Sequence, residues 1–410
     1  MKSVPGSLSG QIRKATTATL GVTLATLMMA TGTSPAAAAA STRVKTWGQN
    51  SEGQLGNGLI VDDRRTPVTA AGLTTAGVVS VAAGDDFNLA LLSNGTVEAW
   101  GDDFRGQLGD GNSGVGVDRL TPGTVAGLFN ITAVAAGADH SLALRSDGTV
   151  WAWGDDTSGQ LGDGTIGPAD NPRPIQVPGL TGIVAIAAGG DHSLALRSDG
   201  VLFAWGDDSA GQLGDGTVGG ANATPGPVVG LDGPVRRIAA GSLHSLALLA
   251  DGSIDAWGDD TFGQLGDGTA NVGGDASPDL VVGLDGAATR IAAGARHSLA
   301  LLADGTVDAW GDDSDGQLGD GTANVGGDAS PDLVVGPGGT GVLSGVFAIA
   351  AGGSHSLALA SNQPVHSWGS NSNGQLGNGS TADSPFPVGI RTGVSGLVSV
   401  SAGSQHSVVA

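Results

Sequence analysis

The 410-residue chain has no cysteine, so disulfides and thiol-linked lipid anchors are excluded. Positive charge is also scarce. Seventeen Lys and Arg face 39 Asp and Glu, for a formal net charge of −22. Such an acidic surface repels phosphate backbones and argues against a nucleic-acid partner. It favours solubility and is suited to cationic partners or divalent ions. Past the first 40 residues no apolar run approaches the length of a membrane span. The nucleophile elbow Gly-x-Ser-x-Gly, a phosphate loop, a dinucleotide fingerprint, EF-hand spacing and the Gly-rich nonapeptide Ca²⁺ repeat are all missing. No cofactor is expected.

Residues 1–40 differ from the rest. Lys2, Arg13 and Lys14 form a basic start, Ala18–Ala30 is uncharged and largely apolar, and Ala36–Ala40 offers an A-x-A cleavage site. This is the pattern of a secretory signal peptide. The expected product is a secreted, extracellular protein of residues 41–410 with no membrane span. Losing the three leader cations takes its formal charge from −22 to −25.

What fills the mature chain is repetition. His140–Gly164 reads HSLALRSDGTVWAWGDDTSGQLGDG, and Trp-Gly recurs at Trp47, Trp100, Trp153, Trp205, Trp257, Trp310 and Trp368, spaced 53, 53, 52, 52, 53 and 58 residues apart. A fixed period of this size marks an array of one supersecondary unit. Within a unit, apolar runs such as His297–Leu301 and Thr306–Trp310 flank an Asp-Gly pair, which predicts a hairpin with a type I′ turn. Three or four short strands per unit make one small antiparallel sheet. The strands lack inside-outside alternation: Leu299 and Leu301 point one way, Ser298 and Ala300 the other, and both sets are small or apolar. A blade between two neighbours reads this way. The 74 glycines fall at fixed places and mark turns.

The ends complete each other. The chain stops at His406–Ala410, where a TVDAW-like strand should follow, and Ser41–Trp47 is such a strand without its preceding partner. The prediction is an all-β, seven-bladed β-propeller over residues 41–410, its ring closed by the N-terminal strand completing the last blade. Units five and six share an identical 21-residue run, Gly263–Gly283 and Gly316–Gly336, which suggests recent duplication.

Trp368-Gly369-Ser370-Asn371-Ser372-Asn373-Gly374-Gln375-Leu376-Gly377 and Ala292-Ala293-Gly294-Ala295-Arg296-His297-Ser298-Leu299-Ala300-Leu301 resemble the two halves of the RCC1-like repeat, named for the regulator of chromosome condensation. The resemblance covers residues 44–410 and implies a seven-bladed propeller. It does not imply one function. The namesake resembles a nuclear exchange factor for a small GTPase that binds chromatin, which suits neither the leader nor the charge. A plant ultraviolet photoreceptor of the family needs clustered extra tryptophans, and only Trp151 lies outside the Trp-Gly sites. Secreted bacterial-type members look like inhibitors that hold an enzyme against one face of the ring. Their repeats look shorter and lack Gly-Gln-Leu-Gly, but their address matches.

Six histidines, His140, His192, His244, His297, His355 and His406, occupy one place in the unit. Catalysis needs one or two such groups converging, so they are read with the seven tryptophans as structural, each imidazole bonding backbone near the Gly turn. His366 stands apart and is expected at the surface. Asp102-Asp103, Asp155-Asp156, Asp207-Asp208, Asp259-Asp260 and Asp312-Asp313 follow Trp-Gly, and the second of each pair is suited to capping a turn. No catalytic residue and no metal ligand is assigned. The loops Leu59–Thr66, Asn112–Thr121, Thr165–Pro174, Thr217–Pro225, Thr269–Pro278, Thr322–Pro331 and Ser380–Pro385 leave the same point of each unit and should crowd one face. Arg64, Arg65, Arg119 and Arg173 fall in the earlier loops, Asp275 and Asp328 in the later ones. These four arginines are the candidate partner-binding residues. The reading is a monomeric, non-enzymatic protein-binding scaffold whose partner is a protein or other extracellular macromolecule. The alternatives are a passive envelope or matrix protein, or a propeller enzyme acting on polysaccharide.

Overall fold

The computed structural model describes residues 44–60, 63–73, 77–167, 170–361, 365–390 and 396–410. The leader proposed for residues 1–40 lies outside them. Among the described residues no helix is long and apolar enough to cross a membrane.

The described chain forms seven four-stranded antiparallel sheets. Blade 1 runs outward from its inner strand Val78–Ala83 through Phe87–Leu92 and Val97–Gly101 to the outer strand Arg119–Thr124. Blades 2 to 6 repeat this order, with inner strands Ile131–Ala136, Ile183–Ala188, Val235–Ala240, Ala288–Ala293 and Val346–Ala351. Each inner strand packs beside the next, and Val400–Ala402 of blade 7 packs against Val78–Ala83, which closes the ring.

Blade 7 is built from both ends of the chain. Val400–Ala402 and His406–Val409 supply its inner half, and Lys45–Gly48 pairs with His406–Val409 in the register Lys45↔Val409 through Gly48↔His406. The N-terminal side gives two strands to this blade, since Arg64–Thr69 forms its outer edge.

The missing alternation has a direct cause. Leu299 and Leu301 pack toward blade 6 with Ala358, Ala360 and Trp368, while Ala300, Leu302 and their own blade's Trp310 pack toward blade 4 with Leu246 and Leu248. Both faces of this second strand are therefore interblade cores. Each tryptophan of the repeat is fully buried, and its indole N–H donates to the glutamine carbonyl of the preceding blade, as from Trp310 to Gln264 at 2.9 Å.

Three expectations need correction. The Asp-Gly hairpins are not type I′ turns. The only non-glycine residue with positive φ among the described residues is Asn130, so Asp304 does not adopt the required conformation. Gly305 N–H donates to Leu302 O at 3.1 Å and Leu302 N–H to Thr306 O at 2.9 Å, with Gly305 alone at φ 86°. That is a longer turn with a glycine bulge, and Asp304 caps it by accepting from Thr306 N–H and Oγ1–H at 2.9 and 2.6 Å. Second, much of the loops Thr269–Pro278 and Thr322–Pro331 is strand: the outer strands Asn271–Leu280 and Asn324–Leu333 run ten residues each, their register shifts absorbing the glycines. Third, His366 is buried, 2% exposed, on the strand His366–Gly369, because that position faces a neighbouring blade and not solvent.

Candidate functional site

In each blade the inner strand ends, the second strand begins and the third strand ends at the same end of the ring, as Ala83, Phe87 and Gly101 do in blade 1. From that end the chain leaves the third strand, passes through Gly-Gln-Leu-Gly and enters the outer strand. The loops singled out above therefore share a face with the end of the inner strands, where Ala-Gly-x segments from all seven blades line an axial cavity of about 250 Å³. Its walls are alanine, glycine and serine, and Asp85 is the only ionisable side chain among them.

The histidines stand just behind this mouth and are structural in their contacts. Each is fully buried. Nε2 of His140, His192, His244, His297 and His355 meets the serine hydroxyl of the next blade at 2.9–3.0 Å. That hydroxyl donates onward to a glutamine carbonyl, as Ser298 does to Gln264 at 3.0 Å, so Nε2 must carry the proton. The Nε2 bond thus goes to a side chain across the interface, while backbone near the glycine also acts on His140, through Gly190, and on His406, through Asp85. The glycine is needed for space: a Cβ on Gly294 would sit 2.4 Å from the His297 ring. Nδ1 of His192, His244, His297 and His355 has no hydrogen-bond partner among the described residues. Burial holds all six rings far below the usual imidazole range, at about 3 to 4, so they are neutral at pH 7. At the seam, Asn88 replaces serine: Oδ1 accepts from His406 at 3.1 Å while Nδ2 donates to Gln54 O at 2.8 Å.

The rim of the mouth breaks the symmetry. The residue immediately before the histidine position is Asp86, Asp139 and Asp191 in blades 1 to 3, then Leu243, Arg296, Ser354 and Gln405. Asp139 and Asp191 are bridged by glutamines to the aspartates that follow Trp-Gly, while Asp86 meets a glutamine alone, because Gln49 and Asn50 follow Trp47-Gly48. Gln54 donates to Asp86 at 2.8 Å, Gln107 to Asp102 and Asp139 at 2.7 and 3.2 Å, and Gln160 to Asp155 and Asp191 at 2.7 and 3.1 Å. Burial first, then the neighbouring carboxylates, pushes Asp85, Asp86 and Asp191 up to about 6 and Asp139 up to about 7. Negative charge is thus concentrated on one arc of the mouth. These residues escaped the sequence reading because they occupy a position that changes from blade to blade; that variation inside an otherwise fixed motif is the signal that could have found them.

Glu52, Asp102 and Asp118 also converge, with one carboxylate oxygen of each within 4.8 Å of the others. Asp118 already accepts from Asp103 N–H at 3.2 Å, and Asp102 from Phe104 N–H at 3.1 Å. Of the paired aspartates, the second caps its turn as expected: Asp156 accepts from Leu161 N–H at 3.0 Å and Asp260 from Leu265 N–H at 3.1 Å.

The four arginines lie on outer strands, not in loops. Arg64 and Arg65 open Arg64–Thr69, Arg119 opens Arg119–Thr124, and Arg173 lies in Asn171–Gln176. They are not brought together. Arg119 is held by Asp110 at 3.0 Å and Arg64 is half-buried, whereas Arg65 and Arg173 are exposed. Arg65 lines a cleft of about 540 Å³ at the seam of blades 6 and 7, with Asn50, Asp63, Ser372 and Asn373.

Residues 43–409 match the RCC1-like domain family. The chain is 33% identical to the ultraviolet-B receptor UVR8 of Arabidopsis thaliana over 349 residues, 84% of this chain and 76% of that one. It is 35% identical to the human E3 ubiquitin-protein ligase HERC2 over 384 residues, which is 91% of this chain but only 8% of that ligase. Among solved structures, Prp20p of Saccharomyces cerevisiae, described with its binding to Gsp1p and histones, superposes with a TM-score of 0.77 at 27% identity, covering 90% of both chains. Human WBSCR16 superposes with a TM-score of 0.79 at 25% identity, covering 90% of this chain and 98% of that one.

Proposed function

The chain belongs to the RCC1-like domain family, and from that premise we propose that it is a non-enzymatic scaffold that binds a protein partner on its loop face. The observation that carries the proposal is the contrast between a repetitive interior and a non-repeating rim. The histidines, tryptophans and turn aspartates are consumed in holding blades together, and among the described residues lining the axial cavity only Asp85 carries a carboxylate, where a glycosidase would need two. Recognition is left to what varies: the arc Asp86, Asp139 and Asp191, and the exposed Arg65 and Arg173 farther out. The arc suits a cationic patch on the partner, and family members that bind proteins, Prp20p with Gsp1p and histones, lend support. The leader at residues 1–40 makes that partner extracellular.

The test is partner capture from culture supernatant with protein lacking residues 1–40, followed by titration of the captured partner. Asp86→Asn/Asp139→Asn/Asp191→Asn should weaken binding at least tenfold, and Arg65→Ala/Arg173→Ala by a smaller factor. Since the arc carboxylates titrate near pH 6 to 7, they carry full charge only above that range. Affinity should therefore fall as the pH is lowered from 8 to 5.5. Unchanged affinity in the triple variant would remove the arc from the proposal.

A further inference from the structure

The face opposite the loops carries a second feature, independent of the reading above. There the inner strands begin, and each of blades 1 to 6 has a register shift between its first and third strand residues. The third residue is Ser80, Ala133, Ala185, Arg237, Arg290 and Ala348 in turn, and Ser399 is its counterpart in blade 7. Its direction is known from the small residues. Ser399 Oγ accepts from Val81 N–H of the next inner strand at 3.2 Å, and Ala185 packs with Ile238 of the next blade. The Arg237 stem therefore enters the cleft between blades 4 and 5, and the Arg290 stem the adjacent cleft between blades 5 and 6. Both residues remain solvent-accessible.

Two other arginines on this face are paired. Arg145 meets Asp147 at 2.6 Å and Arg197 meets Asp199 at 2.8 Å, each across its own hairpin turn. Arg236, on the bulge, has Asp251 nearby. Among the described residues no carboxylate lies within 4.0 Å of Arg237 or Arg290. Burial, and then the charge of Arg290, holds Arg237 below the usual guanidinium range. Two exposed like charges on neighbouring blades, without a carboxylate partner and at positions where five blades manage with alanine or serine, are not required by the fold. An oxyanion between them would give both a partner, and guanidinium forks bind carboxylates in bidentate fashion.

We propose that Arg237 and Arg290 form a docking site for the carboxylates of a short acidic protein segment on the face opposite the loops. The neighbouring surface fits such a segment. Val184 of blade 3 and Phe347 of blade 6, on the inner strands flanking blades 4 and 5, are exposed and would take apolar residues flanking the acid. A nucleic acid would bring phosphates along its whole length over a surface that also carries Asp232, Asp251, Asp285 and Asp304; a segment with two carboxylates avoids that repulsion.

The experiment uses the full chain and a fluorescein-labelled peptide with two adjacent glutamates between leucines, read by fluorescence anisotropy. Saturable binding is expected, with at least a tenfold loss in Arg237→Ala/Arg290→Ala and no binding of the same peptide carrying glutamines. The double variant should fold, because it installs the residue other blades use, and its thermal midpoint should not fall. Arg237→Lys/Arg290→Lys keeps the charge without the fork and should bind with intermediate affinity. Absence of saturable peptide binding, or equal binding by wild type and the alanine variant, would overturn the proposal. Tighter binding of an oligothymidylate than of the peptide would also overturn it, in favour of a phosphate-backbone site. The loop-face variants Asp86→Asn/Asp139→Asn/Asp191→Asn should bind this peptide normally, which keeps the two sites' tests separate.

Discussion

A neutral imidazole in a dry interface needs an acceptor for its one N–H, and the next blade's serine provides it. The ring of these bonds has one natural gap. Phe87 takes the histidine place in blade 1, so Ser141 of blade 2 receives no imidazole and keeps only its own donation to Gln107 O at 2.9 Å. Ser298 has both that donation and the bond from His244 at 3.0 Å. The pair isolates the worth of the imidazole bond. Ser298→Ala orphans a buried N–H and should cost about 2–3 kcal/mol, whereas Ser141→Ala should cost about 1 kcal/mol. Urea unfolding midpoints of the two variants measure the difference. Equal losses would mean that the histidines fill space and that their hydrogen bonds contribute nothing net.

The corner between the third and outer strands explains why Trp-Gly-x-Asp-x-x-Gly-Gln-Leu-Gly repeats as a block. In blade 4, Asp260 accepts from Leu265 N–H at 3.1 Å, and Gln264 accepts from Phe262 N–H at 2.9 Å while donating to Asp259 at 2.6 Å. The main-chain carbonyl of Gln264, fixed by these bonds, then receives the Trp310 indole. Gly266 closes the corner at φ 72°, and a Cβ there would lie 2.7 Å from Trp310 Nε1. Gly200 has φ 92° and open space around its missing Cβ. Gly200→Ala should therefore cost only the backbone term, about 1 kcal/mol, and Gly266→Ala about 3 kcal/mol or more, because the tryptophan must shift as well. Chemical denaturation of both variants checks this, and similar costs would mean that the corner does not grip the indole. The repeating block and its turn-capping aspartate were legible in the sequence from seven copies, but the indole bond to the glutamine carbonyl was not. The turn type was not, since Asp-Gly suits two hairpin geometries and the deciding bond, Gly305 N–H to Leu302 O, involves no side chain. Nor were the ten-residue outer strands, whose glycines read as loop.

At the scale of the whole ring, what repeats was readable and what differs was not. Asp86, Asp139 and Asp191 lie 53 and 52 residues apart and become neighbours only once the blades are set in order. Arg237 and Arg290 are hidden in the same way, each an ordinary arginine beside an isoleucine until the inner strands are ranked by register. Closure was the exception, because two incomplete units at the ends complement each other. Its energetic weight is testable because the chain lacks cysteine, so one introduced pair has no competing thiols. Lys45 and Val409 are direct partners across the closing strands, and paired residues of antiparallel strands fall within disulfide reach. Lys45→Cys/Val409→Cys would tie a loop spanning nearly the whole propeller, and the chain-entropy account assigns such a loop up to about 5 kcal/mol. The oxidised variant should unfold at a clearly higher urea concentration than its reduced form, with no change in the far-ultraviolet spectrum. If the closing strands part before the other blades, the tie removes the earliest opening event, and the unfolding rate should drop along with the shift in midpoint. Failure of the disulfide to form under mild oxidation would mean that the two ends do not pair. Formation without any gain in midpoint or unfolding rate would mean that the ring opens elsewhere first.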